Sequence, residues 1–189
     1  MPGGRLVIIS GPSGVGKNTV VDRLVQAAPG RVERSVTATT RPPRPGEKDG
    51  VDYYFLHPEE FARRRAEGAF LECFQVFATG HWYGTLAADV AERLKKDGWV
   101  LLAIDVQGAM TLAERFPEAV TIFLLPPSEE ELERRLRRRG TETERSIQER
   151  LARAKEELAL ASRYRYRVVN DDPDRAAQEI LEILNQNVR

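Results

Sequence analysis

Cysteine is almost absent from the sequence, which has one, Cys73, in 189 residues. A single cysteine excludes a disulfide framework and a cysteine-based zinc site, and it predicts a half-buried apolar role for this side chain. Histidine is nearly as scarce. His57 and His81 have no metal-ligand partners at useful spacing, so we expect both at the surface or in loops.

The sequence also has no excess of charge of either sign, because 29 basic residues balance 29 acidic ones. This balance argues against a general nucleic-acid or membrane-surface binder. The apolar runs near 6–9 and 100–104 are far too short to span a bilayer, and the N-terminus does not resemble a signal peptide. We expect a cytoplasmic protein without nucleic acid or membrane as partner, and the sequence leaves its oligomeric state open.

The most informative segment is 6–26, which reads LVIISGPSGVGKNTVVDRLVQ. An apolar stretch runs into a glycine-rich loop, and an amphipathic helix pattern follows. Such a loop lets backbone N–H groups converge on phosphate oxygens, while the helix N-terminus and Lys17 add positive charge. The context predicts a P-loop rather than a glycine-rich turn without a ligand. We predict that the phosphates are bound by Gly11, Pro12, Ser13, Gly14, Val15, Gly16, Lys17, Asn18 and Thr19.

One letter of this segment departs from the P-loop pattern, which calls for Ser or Thr directly after the lysine. Here that residue is Asn18, and Thr19 follows it. Asn18 could offer an amide oxygen to Mg²⁺, or Thr19 could act through a water, and the sequence does not choose between them. Asp105, at the end of an apolar stretch, is a second candidate for Mg²⁺ and its waters, the alternative being a cap to Gly108 and its neighbours.

Apolar stretches alternate with helical patterns over most of the chain. Strands are predicted at LVIIS (6–10), WVLLAID (99–105), VTIFLL (120–125) and YRVVN (166–170). Helices are predicted at 17–27, 86–97, 108–115, 128–138, 145–163 and 173–187. This alternation indicates an α/β fold, with a parallel sheet covered by helices on both faces. Ligands of such sheets bind beyond the carboxyl ends of the strands.

Two segments break this rhythm. Residues 34–84 read as a small, mostly β insertion with one helix at 58–67, and 127–157 are densely charged. We predict a core formed by 1–33, 85–126 and 158–189, on which the insertion and a helical flap close over a second substrate.

Arginines stand out in both segments. Arg41 and Arg44 flank a stiff Pro42-Pro43 pair, and guanidinium forks match phosphate oxygens two at a time, although a solvated loop is an equal alternative. Tyr53 and Tyr83 could donate to phosphate, but aromatic residues at turns are more often used for packing. The arginines between 134 and 139 are interleaved with glutamates, which favours a solvated helix face over a nucleic-acid patch.

Several separate motifs resemble the guanylate kinase family over essentially the whole chain. They are ISGPSGVGK, SVTATTRPPRPGEKDGVDYYF, FLE at 70–72, WYGT at 82–85, DVQGA at 105–109, LLPPS at 124–128, RRRGTETE at 137–144 and VVNDD at 168–172. The resemblance implies ATP-dependent, Mg²⁺-assisted phosphorylation of GMP, and of dGMP, to the diphosphate. It makes 34–84 the GMP-binding region and 127–157 the lid.

The resemblance also implies roles for individual residues. GMP would be bound by Thr37, Arg41, Arg44, Tyr53, Glu72, Tyr83, Thr85 and Asp105, and ATP by the loop together with Arg135, Arg139 and Asn170. The catalytic cations would be Lys17, Arg41, Arg135 and Arg150. Chemistry supports the reading of guanine by Glu72, because a carboxylate offers two acceptors to the adjacent N1–H and N2–H₂ groups. Adenine would leave one carboxylate oxygen unpaired.

The chain departs from the family pattern at Asn18, at Ala103, where many relatives carry a second carboxylate, and in ATGHWYGT, which is about two residues longer than the commoner form. Two rival functions remain. The first is a related P-loop kinase for another monophosphate or a phosphosugar, against which Glu72 argues. The second is a guanylate-kinase-like protein-binding module without catalysis, which we would expect to have lost Lys17 or the arginine set.

Overall fold

The computed structural model describes residues 3–76, 79–138 and 143–188. The strands are β1 (Arg5–Ser10), β2 (Val32–Arg34), β3 (Thr37–Thr39), β4 (Tyr54–Phe55), β5 (Phe70–Gln75), β6 (Trp82–Leu86), β7 (Trp99–Ala103), β8 (Val120–Leu125) and β9 (Tyr166–Val169). The helices are α1 (Lys17–Ala27), α2 (Pro58–Ala66), α3 (Ala87–Arg93), α4 (Val106–Arg115), α5 (Glu129–Arg137), α6 (Glu144–Ala159) and α7 (Pro173–Gln186). None of these helices is long and apolar enough to cross a membrane.

The central sheet is parallel, with the strand order β2-β7-β1-β8-β9. Successive side chains of a strand point to opposite faces, so the apolar run of β1 supplies both cores. Val7 and Ile9 pack into the cluster that contains α1 and α7, whereas Leu6 and Ile8 pack into the cluster that contains α3 and α4. The prediction of a parallel sheet with helices on both faces is confirmed.

A second, smaller sheet is formed within the segment that breaks the strand–helix rhythm. Its order is β4-β3-β6-β5, and it is mixed, because β3 pairs with β4 in parallel and with β6 in antiparallel. Helix α2 covers it through Phe61, whose ring stacks on Phe70 at a centroid distance of 4.4 Å. The predicted mostly β insertion with one helix is therefore confirmed.

Several predicted boundaries are wrong. Strand β7 ends at Ala103 and α4 already begins at Val106, because Asp105 caps this helix instead of extending the strand. Helix α3 stops at Arg93, and the last predicted turn of α6 is a separate 3-10 helix at Ala161–Arg163. Strand β2 was not predicted, since Val-Glu-Arg offers no apolar run.

The two chain crossings between the sheets meet at Asp89, near the start of α3. Its Oδ2 accepts hydrogen bonds from Ser35 Oγ at 2.7 Å and from the Val36 amide at 3.3 Å, both on the first crossing. Tyr54 of the small sheet donates to Oδ1 at 3.1 Å, and Arg93 bonds both oxygens. These donors lower the pKa of Asp89 against the opposing effect of its burial, which is the largest single contribution. The junction depends on an ionised carboxylate.

Asp89→Asn should destabilise the protein, because the amide cannot accept from all of these donors and Arg93 loses its charged partner. We expect the free energy of unfolding to fall by about 2 kcal/mol, measured by urea unfolding at neutral pH. Tyr54→Phe removes one of the hydrogen bonds and should lower it by about 1 kcal/mol or less. An Asp89→Asn protein as stable as the parent would contradict this account of the junction.

Candidate active site

The glycine-rich loop between β1 and α1 has the backbone shape of an anion cradle. Gly14 and Gly16 have φ angles of 90° and 91°, which side chains of L residues rarely allow. A Cβ atom at Gly16 would lie 2.6 Å from Asn170 Nδ2, so the position also has no room for a side chain. Within the described residues no side chain caps α1, and its first turn contains no acidic residue. Its first N–H groups are thus left for an anion.

Lys17 folds back over this loop. Its ammonium donates to the carbonyl oxygens of Gly11, at 3.2 Å, and Ile104, at 2.9 Å. Burial lowers the pKa of Lys17, and the negative charges of Asp105 and Glu157 oppose this effect. The cation therefore lies at the carboxyl end of β1, where an anion in the loop would meet it.

Two carboxylates, Asp105 and Glu157, lie near Lys17, and Arg153 pairs with both of them. Asp105 Oδ1 accepts from the Gly108 amide at 2.8 Å, whereas Asp105 Oδ2 is buried without a hydrogen-bond partner among the described residues. Arg153 of α6 lies 3.6 Å from Asp105 Oδ2, and its Nε donates to Glu157 at 3.0 Å. Burial raises the pKa of both carboxyls. The two readings of Asp105, as a cap and as a ligand-facing acid, are compatible, because its two oxygens face different groups.

Glu72 projects from β5 into a buried position. Thr37, Thr85 and Glu72 form one row across β3, β6 and β5, and Thr85 Oγ1 donates to Glu72 Oε1 at 2.6 Å. Glu72 is 7% exposed, and its Oε2 has no hydrogen-bond partner within the described part of the chain. Burial, partly offset by the Thr85 hydrogen bond, raises the pKa of Glu72 to about 7. An unpaired, buried acceptor is costly unless a ligand satisfies it.

Gly108 makes room for this carboxylate. A Cβ atom at this position would lie 2.7 Å from Glu72 Oε2 and 3.3 Å from Asp105 Oδ1. The first turn of α4 thus brings the Glu72 pocket next to Asp105, which in turn lies beside Lys17. From the sequence, Gly108 is predicted only as a group that Asp105 could cap at the start of a helix, and its position against Glu72 is not predicted.

The predicted phosphate clamp is assembled around aromatic rings. The Arg41 guanidinium lies over the Tyr53 ring at 5.2 Å, and the Tyr53 and Tyr83 rings meet edge to face at 6.1 Å. Glu47, which the sequence did not single out, pairs with Arg41 at 2.9 Å. Arg44 is exposed on the same loop. The structure therefore brings Arg41, Tyr53 and Tyr83 together.

On the opposite side of the loop, α5 and the end of β9 hold the Val15 carbonyl. Arg135 Nη1 donates to Val15 O at 3.0 Å, and its Nη2 donates to Asn170 O at 3.0 Å. Asn170 Nδ2 also donates to Val15 O, at 2.7 Å, and the buried Asn170 Oδ1 lacks a partner in the described residues. From α6, Arg150 reaches Ser13 Oγ at 3.5 Å. Arg139 lies outside the described residues.

Two of the three predicted magnesium ligands are exposed, whereas Asp105 is partly buried. Asn18 and Thr19 are exposed on the first turn of α1, and Asn18 Oδ1 lies 3.5 Å from Arg34 Nη2. The described residues contain no cluster of three or more His, Cys, Asp or Glu side chains able to hold a metal. The oxygens of Asn18, Thr19 and Asp105 fit Mg²⁺, because this ion commonly takes one or two protein oxygens and draws its other ligands from water and substrate phosphates.

A glycine-rich anion cradle at the carboxyl edge of a parallel sheet, with an inserted sheet on one side and arginine-bearing helices on the other, is the arrangement of P-loop nucleoside monophosphate kinases. The sequence model of one family in this class, guanylate kinase, matches residues 3–187. The chain belongs to the guanylate kinase family.

Individual relatives agree with this membership. The chain is 55% identical to a guanylate kinase of Rhodopirellula baltica, with 96% of this chain and 87% of the relative covered. It is 48% identical to the enzyme of Caldanaerobacter subterraneus, with 96% and 86% covered. The crystal structure of the Anaplasma phagocytophilum guanylate kinase superposes with a TM-score of 0.81 at 35% identity, covering 100% of this chain and 88% of that one.

The ionisation of Glu72 should lower stability as the pH rises. Burial raises the pKa of this carboxyl from its ordinary value of 4.5 to about 7 in the folded protein, so between these values the folded protein holds more protons than the unfolded chain. Its free energy of unfolding therefore falls with increasing pH across this window and levels off above it. Glu72→Gln removes the titration, and at pH 8 we expect it to be more stable than the parent by on the order of 3 kcal/mol.

Urea unfolding of both proteins at about pH 5 and about pH 8 tests this expectation. The advantage of Glu72→Gln should be small at the lower pH and grow at the higher one. Glu118→Gln, at an exposed position, is the matched control and should show no such growth. A Glu72→Gln advantage that does not change with pH would contradict the buried carboxylate.

Proposed function

We propose that the protein transfers the γ-phosphoryl group of ATP to GMP, giving ADP and GDP. One observation carries the proposal: the buried Glu72, with an unpaired Oε2, lies next to Asp105 and thus beside the P-loop lysine. The pocket around Glu72 suits guanine, which presents two adjacent hydrogen-bond donors. The loop around Lys17 suits the phosphates of the donor nucleotide. dGMP has the same base and phosphate, so the same contacts serve it.

The inserted segment 34–84 is the GMP-binding region in this proposal, and 127–157 is the lid. Glu72 reads the N1–H and N2–H₂ edge of guanine, with Thr37 and Thr85 beside it. The GMP phosphate is held by Arg41, Arg44, Tyr53 and Tyr83. Asp105 lies next to both Glu72 and Lys17, and so at the border between the two nucleotide sites.

Catalysis requires that negative groups approach one another. The GMP phosphate is already a nucleophile at neutral pH, so positioning and charge neutralisation do most of the work. The P-loop N–H groups and Lys17 hold the donor phosphates, and Arg135, Arg139 and Arg150 add cations from the lid. Asn170 flanks the adenine side. Closure of the two outer segments excludes water, which would otherwise accept the phosphoryl group.

Mg²⁺ accompanies ATP in this proposal. Asn18 or Thr19, together with Asp105 through water, would hold the ion, and it would neutralise charge on the β- and γ-phosphates. Asn18 in place of a hydroxyl residue is compatible with this role, because an amide oxygen is also a hard oxygen ligand.

Steady-state turnover of ATP with GMP, dGMP, AMP, CMP and UMP tests the function. We expect GMP and dGMP to react and the other monophosphates to react very poorly. Glu72→Gln should lower kcat/KM for GMP by about a hundredfold, because one acceptor becomes a donor that faces donors, and should leave KM for ATP unchanged.

Three outcomes would contradict the proposal in different ways. Turnover of AMP as fast as that of GMP would reject the reading of guanine. Equal GMP affinity in Glu72→Gln and the parent would move that reading to another residue. Intact nucleotide binding without any turnover would favour a binding module.

Gly108→Ala should impair GMP binding. The new methyl group displaces the Glu72 carboxylate, so KM for GMP should rise by about tenfold or more. Alanine is the better helix former, which offsets part of the cost of overpacking beside Glu72 and Asp105, so we expect the free energy of unfolding to fall by about 2 kcal/mol or less. Thr111→Ala, on an exposed turn of the same helix, is the control: it raises helix propensity and removes only the hydrogen bond from Thr111 Oγ1 to the Gln107 carbonyl, away from Glu72. An unchanged KM for GMP in Gly108→Ala would show that Glu72 does not need its observed position.

A further inference from the structure

Glu47 joins the two arginines of the proposed phosphate clamp. Its Oε1 accepts from Arg41 Nη2 at 2.9 Å, and its Oε2 accepts from the backbone amide of Arg44 at 2.7 Å. The Glu47 amide in turn donates to the Arg44 carbonyl at 3.0 Å. Gly46, with a φ of 88°, makes the turn that brings Glu47 back to Arg44. One carboxylate thus holds the side chain of Arg41 and the main chain of Arg44.

Arg41 is restrained on other sides as well. Its Nη1 donates to the Pro42 carbonyl at 2.7 Å, and the guanidinium carbon lies 5.2 Å from the Tyr53 ring and 5.7 Å from the Phe55 ring. Its side chain is 10% exposed. A guanidinium has five N–H donors, so the hydrogen bonds to Glu47 and Pro42 fix its plane and leave donors for a ligand.

The anionic form of Glu47 supports this arrangement. The hydrogen bond from Arg41, together with that from the Arg44 amide and the charges of both arginines, lowers the pKa of Glu47 against a smaller opposing effect of burial. Both carboxylate oxygens are engaged by groups of its own loop. The carboxylate is therefore held in place within the loop, and an incoming phosphate would not displace it.

We propose that Glu47 is a positioning residue for GMP phosphate binding, which holds Arg41 and the Arg44 backbone in their binding arrangement before GMP arrives. This inference rests on the proposed function, because it takes Arg41 and Arg44 as the clamp. Ordering a long arginine side chain opposes binding, and a partner that orders it beforehand removes that penalty.

The opposite effect of Glu47 is also physically reasonable, since its negative charge repels a phosphate. Glu47→Asp separates the two effects. Aspartate keeps the charge but is one methylene shorter, so it cannot bond Arg41 and the Arg44 amide together from the same backbone position. Positioning predicts weaker GMP binding in this variant, whereas repulsion alone predicts no change.

The experiment compares the dissociation constants of GMP and guanosine for the parent and Glu47→Asp by calorimetric or NMR titration. Guanosine has the base and lacks the phosphate, so it reports on the pocket alone. We expect the GMP constant to rise by about tenfold and the guanosine constant to stay the same. Glu59→Asp, on the exposed face of α2, is the matched control and should change neither.

An unchanged or tighter GMP constant in Glu47→Asp would overturn the inference, and so would an equal loss for GMP and guanosine, which indicates general damage to the region. If Glu47→Asp does not fold, the ratio of the GMP and guanosine constants in Glu47→Gln decides in the same way. Failure of the proposed function has a different signature: the parent itself would bind GMP no more tightly than guanosine.

Discussion

The hydrogen bond from the Gly108 amide to Asp105 is the contact on which the centre of the molecule depends. It ends the strand β7, starts the helix α4 and fixes Asp105 at the carboxyl edge of the sheet. One oxygen of Asp105 is used in this way, and the other faces Arg153 and the buried end of Lys17. The turn thus fixes the distance between the P-loop and the pocket of Glu72.

Buried charge is the common property of the residues around this turn. Lys17, Asp105, Glu157 and Glu72 all have pKa values displaced by burial in the direction of the neutral form. Burial leaves each group partly dehydrated, and this strengthens its electrostatic interaction with an incoming nucleotide. The apolar sheet, whose central strand is buried on both faces, stabilises the fold and offsets the free-energy cost of burying these charged groups.

The sequence predicted the elements that carry long apolar runs and the loop that carries glycines, because these patterns follow from local physics. It did not predict β2, whose residues Glu33 and Arg34 join the sheet only through neighbouring strands. It also passed over Glu47 and Glu157, and it predicted Gly108 only as a group that Asp105 could cap. The role of a charged residue or of a glycine in a helix depends on residues far away in the sequence. Glu157, for example, acts on the charge of Lys17. The family resemblance supplied roles for residues such as Glu72. The unpaired oxygen of Glu72, however, is visible only in three dimensions.

The ends of the inserted segment lie side by side, since Thr37 pairs with Thr85 and both crossings meet at Asp89. A segment with adjacent ends can be exchanged as a cassette without breaking the sheet that receives it. Most of the proposed acceptor pocket can therefore be replaced as one unit, and only its border at Asp105 and Gly108 is shared with the sheet. A chain of this architecture can acquire a new acceptor while the machinery around Lys17 stays as it is.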